Sequence, residues 1–240
     1  MAHFYLASSL TSDAAQLTGE EARHAAQVSR LRVGERIVVG DGRGRVADAE
    51  AVAVGRDLVE LTVLALREEP APAPRIVLVQ ALAKGGRDEA AIQAATELGV
   101  AAVVPWAAAR SVTRWTGGKV ESGVARWASI VREAGKQSMR PWAAEVRPLA
   151  STADVAAMAA DATVLLLEPT AAVRLLDAAV PLDRDLVLVV GPEGGIAREE
   201  LDRLIAAGAI PVRLGPLVLR TSTAGPAALA ALAARLDLWP

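Results

Sequence analysis

The chain is 240 residues long and 52% hydrophobic, and it carries a formal net charge of −2 and no cysteine. The absence of cysteine excludes disulfides, zinc–thiolate sites and a thiol nucleophile, and two histidines are too few for a histidine-built metal site. No apolar run approaches the roughly 18 residues that span a bilayer, and the first ten residues lack a basic leader. We therefore expect a cytoplasmic protein with no membrane segment and no structural metal.

Positive charge is concentrated in two stretches despite the nearly neutral total. Residues 23–45 hold six arginines against two acidic residues, and residues 110–147 hold eight basic residues against three acidic ones. Guanidinium groups pair with phosphates and base edges through two parallel hydrogen bonds, so both stretches are candidates for contact with nucleic acid. The solvated faces of ordinary helices and strands would give the same composition, and both interpretations stay open on composition alone.

The segment 1–70 has the pattern of a small β-barrel domain. Short alternating strands, separated by glycine-rich turns and with no helix between them, are predicted over residues 36–39, 46–54 and 58–66. Before them, residues 19–33 are predicted to form one helix or loop that presents His24 and Arg30.

Three spaced prolines between residues 68 and 74 mark a linker, because proline belongs neither in a helix interior nor in a central strand. After it, over residues 74–240, strands and helices alternate. This alternation predicts an α/β domain with a parallel sheet covered on both faces, which binds its ligands at the carboxyl ends of the strands. The predicted strands are 76–80, 101–105, 163–167, 186–190 and 210–214. The predicted helices are 88–98, 119–138, 198–207 and 227–238.

The clearest local signal is the segment Leu186–Gly195, a buried apolar strand that stops at Gly-Pro-Glu-Gly-Gly. Its three glycines let the backbone approach a ligand without a Cβ in the way. No Gly-Lys-Ser/Thr follows, so the segment is not a Walker loop, and the glycine spacing and Pro192 exclude a dinucleotide fingerprint. The segment predicts a loop that binds a small molecule, with a tight strand–helix turn as the alternative.

A second segment, Leu214–Ala224, runs from a Gly-Pro turn through apolar residues to Arg220 and three hydroxyl residues. The hydroxyls of Thr221, Ser222 and Thr223 are good helix N-caps. Because this segment follows another predicted strand, Arg220 should lie at the same end of the sheet as the first loop. Two loops of the kind that bind ligands, with an arginine between them, predict a single ligand-binding site.

These two segments, in this order and about twenty residues apart, resemble the SPOUT methyltransferases. Blocks further upstream narrow the resemblance to the RsmE family, which methylates a uridine of small-subunit ribosomal RNA at its imide nitrogen. The blocks are Lys84–Arg87 with Gln93–Val100; Arg110-Ser111, Arg126-Trp127, Glu133-Ala134 and Gln137–Arg140; and His24 with Arg30 and Gly34.

The resemblance implies an α/β fold, with a SPOUT-type parallel sheet and a C-terminal trefoil knot, preceded by a small PUA-like β-barrel. It places an RNA-binding domain at 1–70 and a methyltransferase domain at 74–240. It implies S-adenosyl-L-methionine as the cofactor, 16S ribosomal RNA of the small subunit as the partner, and a homodimer without metal or membrane contact.

The resemblance also implies roles for individual residues, and Arg220 is expected to be catalytic. The residues expected to bind the cofactor are Leu166, Leu167, Glu168, Gly191, Pro192, Glu193, Gly195, Leu214, Gly215, Leu219, Thr221, Thr223 and Ala224. The residues expected to bind RNA are His24, Arg30, Arg32, Lys84, Arg87, Arg110 and Arg140.

The expected chemistry follows from the substrate. A uridine imide is a poor nucleophile until its proton leaves, and an arginine at its carbonyl oxygens would favour the anion as an oxyanion hole does. The methyl group must lie in line with the attacking nitrogen, so positioning supplies much of the rate. No general base is evident in the sequence, and Ser222 stands where the family commonly has glutamate.

Two other functions stay open at this point. A SPOUT enzyme could methylate ribose 2′-hydroxyls of ribosomal or transfer RNA, although a barrel before the linker argues against it. A non-catalytic RNA-binding or ribosome-assembly module could retain a vestigial pocket, although the intact glycine loop and Arg220 argue against that.

Overall fold

The computed structural model describes residues 4–239. These residues form two compact units. One unit holds the described residues up to Ala71 together with Gly135–Ala143, and the other holds Pro72–Ala134 and the described residues from Ala144 onward. Within residues 4–239, no helix is both long enough and apolar enough to cross a membrane.

The first unit is built on a six-stranded sheet with the order β1-β4-β5-β6-β3-β2. All of its pairings are antiparallel except that of β1 with β4. The strands are β1 Phe4–Leu6, β2 Ser9–Leu10, β3 Ala14–Thr18, β4 Arg36–Gly40, β5 Arg45–Val54 and β6 Leu58–Glu68. Helix α1, Gly19–Arg23, continues into a π-helical turn, His24–Val28. The three strands that alternation predicted are confirmed. Strands β1 and β2 have only three and two residues, too few to show a period in the sequence, whereas β3 alternates between exposed and buried residues and was not predicted.

Residues 135–143 belong to the first unit although they follow its strands by more than sixty positions. Their backbone pairs with the turn between β4 and β5: Gly44 N–H donates to the Pro141 carbonyl at 3.0 Å, and Ala143 N–H donates to the Gly42 carbonyl at 2.9 Å. From the sequence, this stretch is predicted to lie in the second domain, 74–240, because pairing between segments so far apart leaves no local pattern.

A buried ion pair joins the same segment to α1. Lys136 Nζ lies 3.0 Å from Glu21 Oε1, and both side chains are less than one tenth exposed. Removing one partner of such a pair takes a counterion from a charge that stays out of water, which costs far more than breaking an exposed pair.

We predict that Glu21→Ala lowers the free energy of unfolding by about 3–5 kcal/mol, because Lys136 keeps its charge in a buried position. Urea unfolding of the variant measures this loss. The exposed pair of Arg23 with Asp57 supplies the control, since Asp57→Ala should cost less than about 1 kcal/mol. Equal effects of the two substitutions would contradict a stabilising role for the buried pair.

The second unit contains a six-stranded sheet with the order β12-β10-β11-β7-β8-β9, and every pairing is parallel. The strands are β7 Ile76–Ala81, β8 Ala102–Trp106, β9 Glu145–Val146, β10 Thr163–Leu167, β11 Leu186–Val190 and β12 Ile210–Val212. The helices that follow α1 are α2 Arg87–Glu97, α3 Gly118–Gln137, α4 Thr152–Ala157, α5 Arg198–Ala206 and α6 Thr221–Arg235. The predicted parallel sheet is therefore confirmed.

Helices cover both faces of this sheet, so successive strand residues enter two different cores. Leu165 and Leu188 pack in the core that includes residues of α2 and α6, whereas Leu166 and Val189 pack in the core that includes Val155 of α4 and Leu204 of α5. All the residues of β7 and β11 are buried, as expected for a parallel sheet covered on both sides. The strand ends are then the places where the sheet reaches solvent.

The last helix differs from its prediction. It begins at Thr221, six residues before the expected start at Ala227, and Pro226 lies inside it. The hydroxyl residues do not cap it: Arg220 is the N-cap residue and makes no capping hydrogen bond from its side chain. The Thr221 hydroxyl donates instead to the Gly191 carbonyl, a tertiary contact that the sequence could not show.

Candidate functional site

A cavity of about 360 Å³ lies at the carboxyl ends of three neighbouring strands. Leu167, Val190 and Val212, the last residues of β10, β11 and β12, form its floor, and the loops that follow these strands form its walls. This is the position where a parallel α/β sheet binds its ligands, because backbone groups and loop side chains converge there.

Most of the residues expected to bind the cofactor line this cavity. They are Leu167, Glu168, Gly191, Pro192, Glu193, Gly195, Leu214, Gly215, Leu219, Thr221 and Ala224. The structure therefore brings together the two glycine-containing segments that the sequence analysis selected.

Two expected residues do not line the cavity, and the geometry of their elements explains both. Leu166 lies between Leu165 and Leu167 on β10, and alternation along the strand turns its side chain into the core on the other face. Thr223 lies two positions after Thr221 on α6, so the helix rotates it by roughly 200° away from the cavity and leaves it exposed.

Several lining residues are not among those predicted from the sequence. They are Pro169, Val190, Gly194, Ile196, Val212, Arg213, Leu217 and Val218. Seven of them lie within the two selected segments or within two residues of them, so extending each segment over its whole loop would have found them. Pro169 lies outside both segments, in the loop after β10. Arg213 has a further role, since its guanidinium donates to the carbonyls of Ala171 and Ala172 and holds the loop after β10.

Two glycines of the loop after β11 are required for different reasons. At Gly191, a Cβ would lie only 2.6 Å from Cγ1 of Ile196, so the turn closes only without a side chain. At Gly195, φ is +71° and a Cβ would meet no atom within 4 Å. Gly195 is therefore required by its left-handed backbone conformation, and the space beside it stays free.

Hydrogen bonds from three basic residues hold this glycine loop. Glu193 accepts from the Lys84 backbone N–H and from the Arg87 guanidinium, both at 3.1 Å, and Arg110 donates to the Gly194 carbonyl at 3.2 Å. Burial alone would raise the pKa of Glu193, but hydrogen bonds from its own backbone N–H, the Lys84 backbone N–H and the Arg87 guanidinium, together with the charge of Arg87, outweigh it and lower the pKa. The carboxylate is thus ionised at neutral pH, and Lys84, Arg87 and Arg110 lie beside the cavity.

Arg220 lies at the rim of the cavity, between Leu219 and Thr221, which both line it. Its backbone is fixed as the N-cap residue of α6. The side chain is exposed, and it makes no hydrogen bond or ion pair with any residue between 4 and 239. Its guanidinium is therefore available to a ligand.

The other residues expected to bind RNA lie in the first unit. Arg30 and Arg32 are exposed and follow the π-helical turn. The ring of His24 lies 5.8 Å from that of Tyr5, and its Nδ1 is buried without a hydrogen-bond partner among the described residues. Burial lowers the pKa of the Arg140 guanidinium to about 10, which leaves it charged at neutral pH.

Comparison with known proteins identifies the family. A family described as "RNA methyltransferase domain" matches residues 69–233, and one described as "RNA methyltransferase PUA domain" matches residues 17–64. The "Ribosomal RNA small subunit methyltransferase E" of Mycobacterium bovis is 44% identical over 234 residues, covering 95% of this chain and 89% of the relative. The chain belongs to the ribosomal RNA small subunit methyltransferase E (RsmE) family. The RsmE protein of Bacillus subtilis is 32% identical, covering 92% of this chain and 90% of the relative.

A solved structure supports the same membership. The crystal structure of RsmE from Neisseria gonorrhoeae bound to S-adenosyl methionine matches with a TM-score of 0.87 and 29% identity, covering 98% of each chain. The expected fold class, a SPOUT-type parallel sheet with a PUA-like domain before it, is confirmed. The trefoil knot stays a prediction. Among residues 4–239, no group of three or more histidine and acidic side chains is placed to hold a metal ion.

We predict that Gly195→Val weakens ligand binding in the cavity about tenfold or more, because a branched residue at φ +71° is strained and would occupy space beside the loop. Titration calorimetry with S-adenosylmethionine measures the affinity. Gly99→Val is the matched control, since Gly99 also has a positive φ and open space but lies outside the cavity. It should lower stability alone, and unchanged affinity in Gly195→Val would show that the ligand binds elsewhere.

Proposed function

We propose that this protein transfers a methyl group from S-adenosylmethionine to 16S ribosomal RNA of the small subunit. The observation that carries the proposal is the cavity at the carboxyl ends of β10, β11 and β12, bounded by the two glycine-containing loops. It occurs in a chain of the RsmE family, one of whose relatives was crystallised with S-adenosyl methionine. We propose that the protein acts in the cytoplasm, where we expect ribosomal RNA to be transcribed and ribosomes to be assembled.

The residues of the cavity fit this cofactor. Its volume of about 360 Å³ lies in the range of small-molecule sites. Leu167, Leu214 and Leu219 supply an apolar surface for a flat heterocycle, and the glycine loop presents backbone without side chains. When bound there, S-adenosylmethionine supplies an electrophilic methyl group on a positively charged sulfur.

We propose that the acceptor is the imide nitrogen of a uridine and that Arg220 stabilises its anion. Arg220 is exposed beside two lining residues, and its backbone is fixed by α6, so its side chain can extend to a base that approaches the rim. A fixed positive charge near the uracil carbonyl oxygens would stabilise the negative charge that develops as the imide proton leaves. The guanidinium fork also matches two acceptors in one plane.

We predict that Arg220→Ala lowers methyl transfer by about 10²–10³-fold, the loss expected for one preorganised electrostatic donor. The affinity for S-adenosylmethionine should change much less, because the charge acts on the base. Arg220→Lys should rescue poorly, since an ammonium cannot present a planar fork. Single-turnover kinetics with saturating RNA and a melting curve test this. Near-normal turnover in Arg220→Ala would remove the residue from the mechanism, and parallel losses of stability and cofactor binding would give it a structural role.

We further propose that the first unit supplies affinity for RNA through Arg30 and Arg32. Replacing each by alanine should weaken RNA binding and reduce the slope of log affinity against log salt by about one per phosphate contact. Cofactor affinity should be unchanged. Arg56→Ala is the control, because Arg56 is an exposed arginine of the same unit outside the expected set. An unchanged salt slope in Arg30→Ala and Arg32→Ala would refute the assignment.

A homodimer is the assembly we propose. The helical spacing of Leu229, Leu232 and Leu236 predicts partner contacts from α6, but Leu229 and Leu232 are buried in the core and Leu236 packs against it, so they are not available. Leu217 and Val218 are available instead, since they are 75% and 79% exposed at the rim of the cavity. Exposing two adjacent apolar side chains costs free energy that a second subunit would recover.

We predict a dimer by light scattering at micromolar concentration and a shift toward monomer when Leu217 and Val218 are both changed to serine. Leu182→Ser is the control, because Leu182 is a comparably exposed leucine outside the cavity wall. A fully active monomer of the unsubstituted protein would contradict the proposed assembly.

A further inference from the structure

Gln80 is a polar residue inside a strand that is otherwise apolar. All six residues of β7 are buried, and Gln80 is 0% exposed. It lies opposite Val190 of β11 and Pro105 of β8, at the carboxyl end of the sheet. Burying an amide among apolar side chains costs free energy unless its hydrogen bonds with water are replaced. The hydrogen bonds of this amide therefore indicate why a glutamine occupies this position.

The amide reaches the cavity wall through one hydroxyl group. Gln80 Nε2 donates to Thr221 Oγ1 at 2.8 Å, and Thr221 Oγ1 donates to the Gly191 carbonyl at 2.9 Å. A hydroxyl has one proton, so the bond to Gly191 leaves Thr221 able only to accept from Gln80. The direction of both hydrogen bonds is therefore fixed.

This chain of hydrogen bonds connects three elements. Gln80 is the penultimate residue of the central strand β7, Thr221 begins α6, and Gly191 begins the glycine loop. Thr221 and Gly191 line the cavity, whereas Gln80 lies behind the wall. Linked buried hydrogen bonds strengthen one another and hold their members in one arrangement. Without the donor from Gln80, the Thr221 hydroxyl could rotate and release the Gly191 carbonyl.

The carbonyl oxygen of the same amide indicates that Gln80 does not serve to stabilise the fold. Gln80 Oε1 is buried and has no hydrogen-bond partner among the described residues. An unmet buried acceptor lowers stability, so an apolar side chain of similar size would suit the strand better. Nε2 also donates to the Ala81 carbonyl at 3.2 Å, a contact within its own strand. The donation to Thr221 is the contact that reaches the cavity wall, and an apolar side chain could not provide it.

We propose that Gln80 is a positioning residue of the methyltransferase site, which directs the Thr221 hydroxyl to Gly191 and thereby fixes the wall that meets the cofactor. The inference rests on the proposed function, since it assumes that S-adenosylmethionine occupies this cavity. Gln80 acts through Thr221 and does not line the cavity itself.

The test uses Gln80→Met, which removes both the donor and the unmet acceptor with little change in volume. By calorimetry, the dissociation constant for S-adenosylmethionine should rise about tenfold, which corresponds to the net free energy of one hydrogen bond. The melting temperature should stay or rise. Thr163→Val is the control, because it removes a buried hydroxyl residue at the opposite end of the sheet, and it should leave affinity unchanged.

Thr221 supplies the second arm. Thr221→Val should weaken cofactor binding, Thr221→Ser should restore it because the hydroxyl returns, and Gln80→Met should add no further loss to Thr221→Val. Unchanged affinity in Gln80→Met, additive losses in the double variant, or a loss of affinity matched by a fall in melting temperature would each overturn the positioning role. Those results would leave the proposed function standing, whereas failure of the unsubstituted protein to bind the cofactor would contradict the proposed function itself.

Discussion

The second unit depends on one constraint, the burial of both faces of its parallel sheet. Because α2 and α6 cover one face and α4 and α5 the other, the strands have no free face on which to bind a ligand. Their carboxyl ends are open, and there the chain leaves the sheet in loops before it reaches the next helix or strand. The turn after β11 closes only because Gly191 has no side chain. The same glycine therefore allows both the tight packing of the turn and the shape of the binding loop.

The loops around the cavity are held by groups that do not belong to them. Glu193 is tied to Lys84 and Arg87, the loop after β10 is tied to Arg213, and Gly191 is tied through Thr221 to the central strand. A loop held in this way loses little further freedom when a ligand binds, which favours affinity and precise placement of a reacting methyl group. Arg220 differs from these residues, since its backbone is fixed and its side chain is exposed.

The sequence predicted those parts of the structure that local patterns encode. Buried apolar runs predicted five of the six strands of the parallel sheet, and the two glycine-containing segments predicted most of the cavity wall. The sixth strand, β9, has only two residues and shows no pattern in the sequence. Contacts between distant segments were not predictable: nothing local indicates that Lys136 pairs with Glu21, or that Thr221 bonds to Gly191 rather than capping α6. The buried amide of Gln80 was missed for the same reason, because its partner lies 141 positions away.

We propose that this protein methylates a uridine of small-subunit ribosomal RNA. Nucleoside mass spectrometry of 16S ribosomal RNA, from cells with and without the gene, tests this proposal most directly. We expect that one uridine methylated on its base nitrogen disappears when the gene is removed and returns when it is restored. An unchanged set of base-methylated uridines, or loss of a ribose-methylated nucleoside instead, would contradict it.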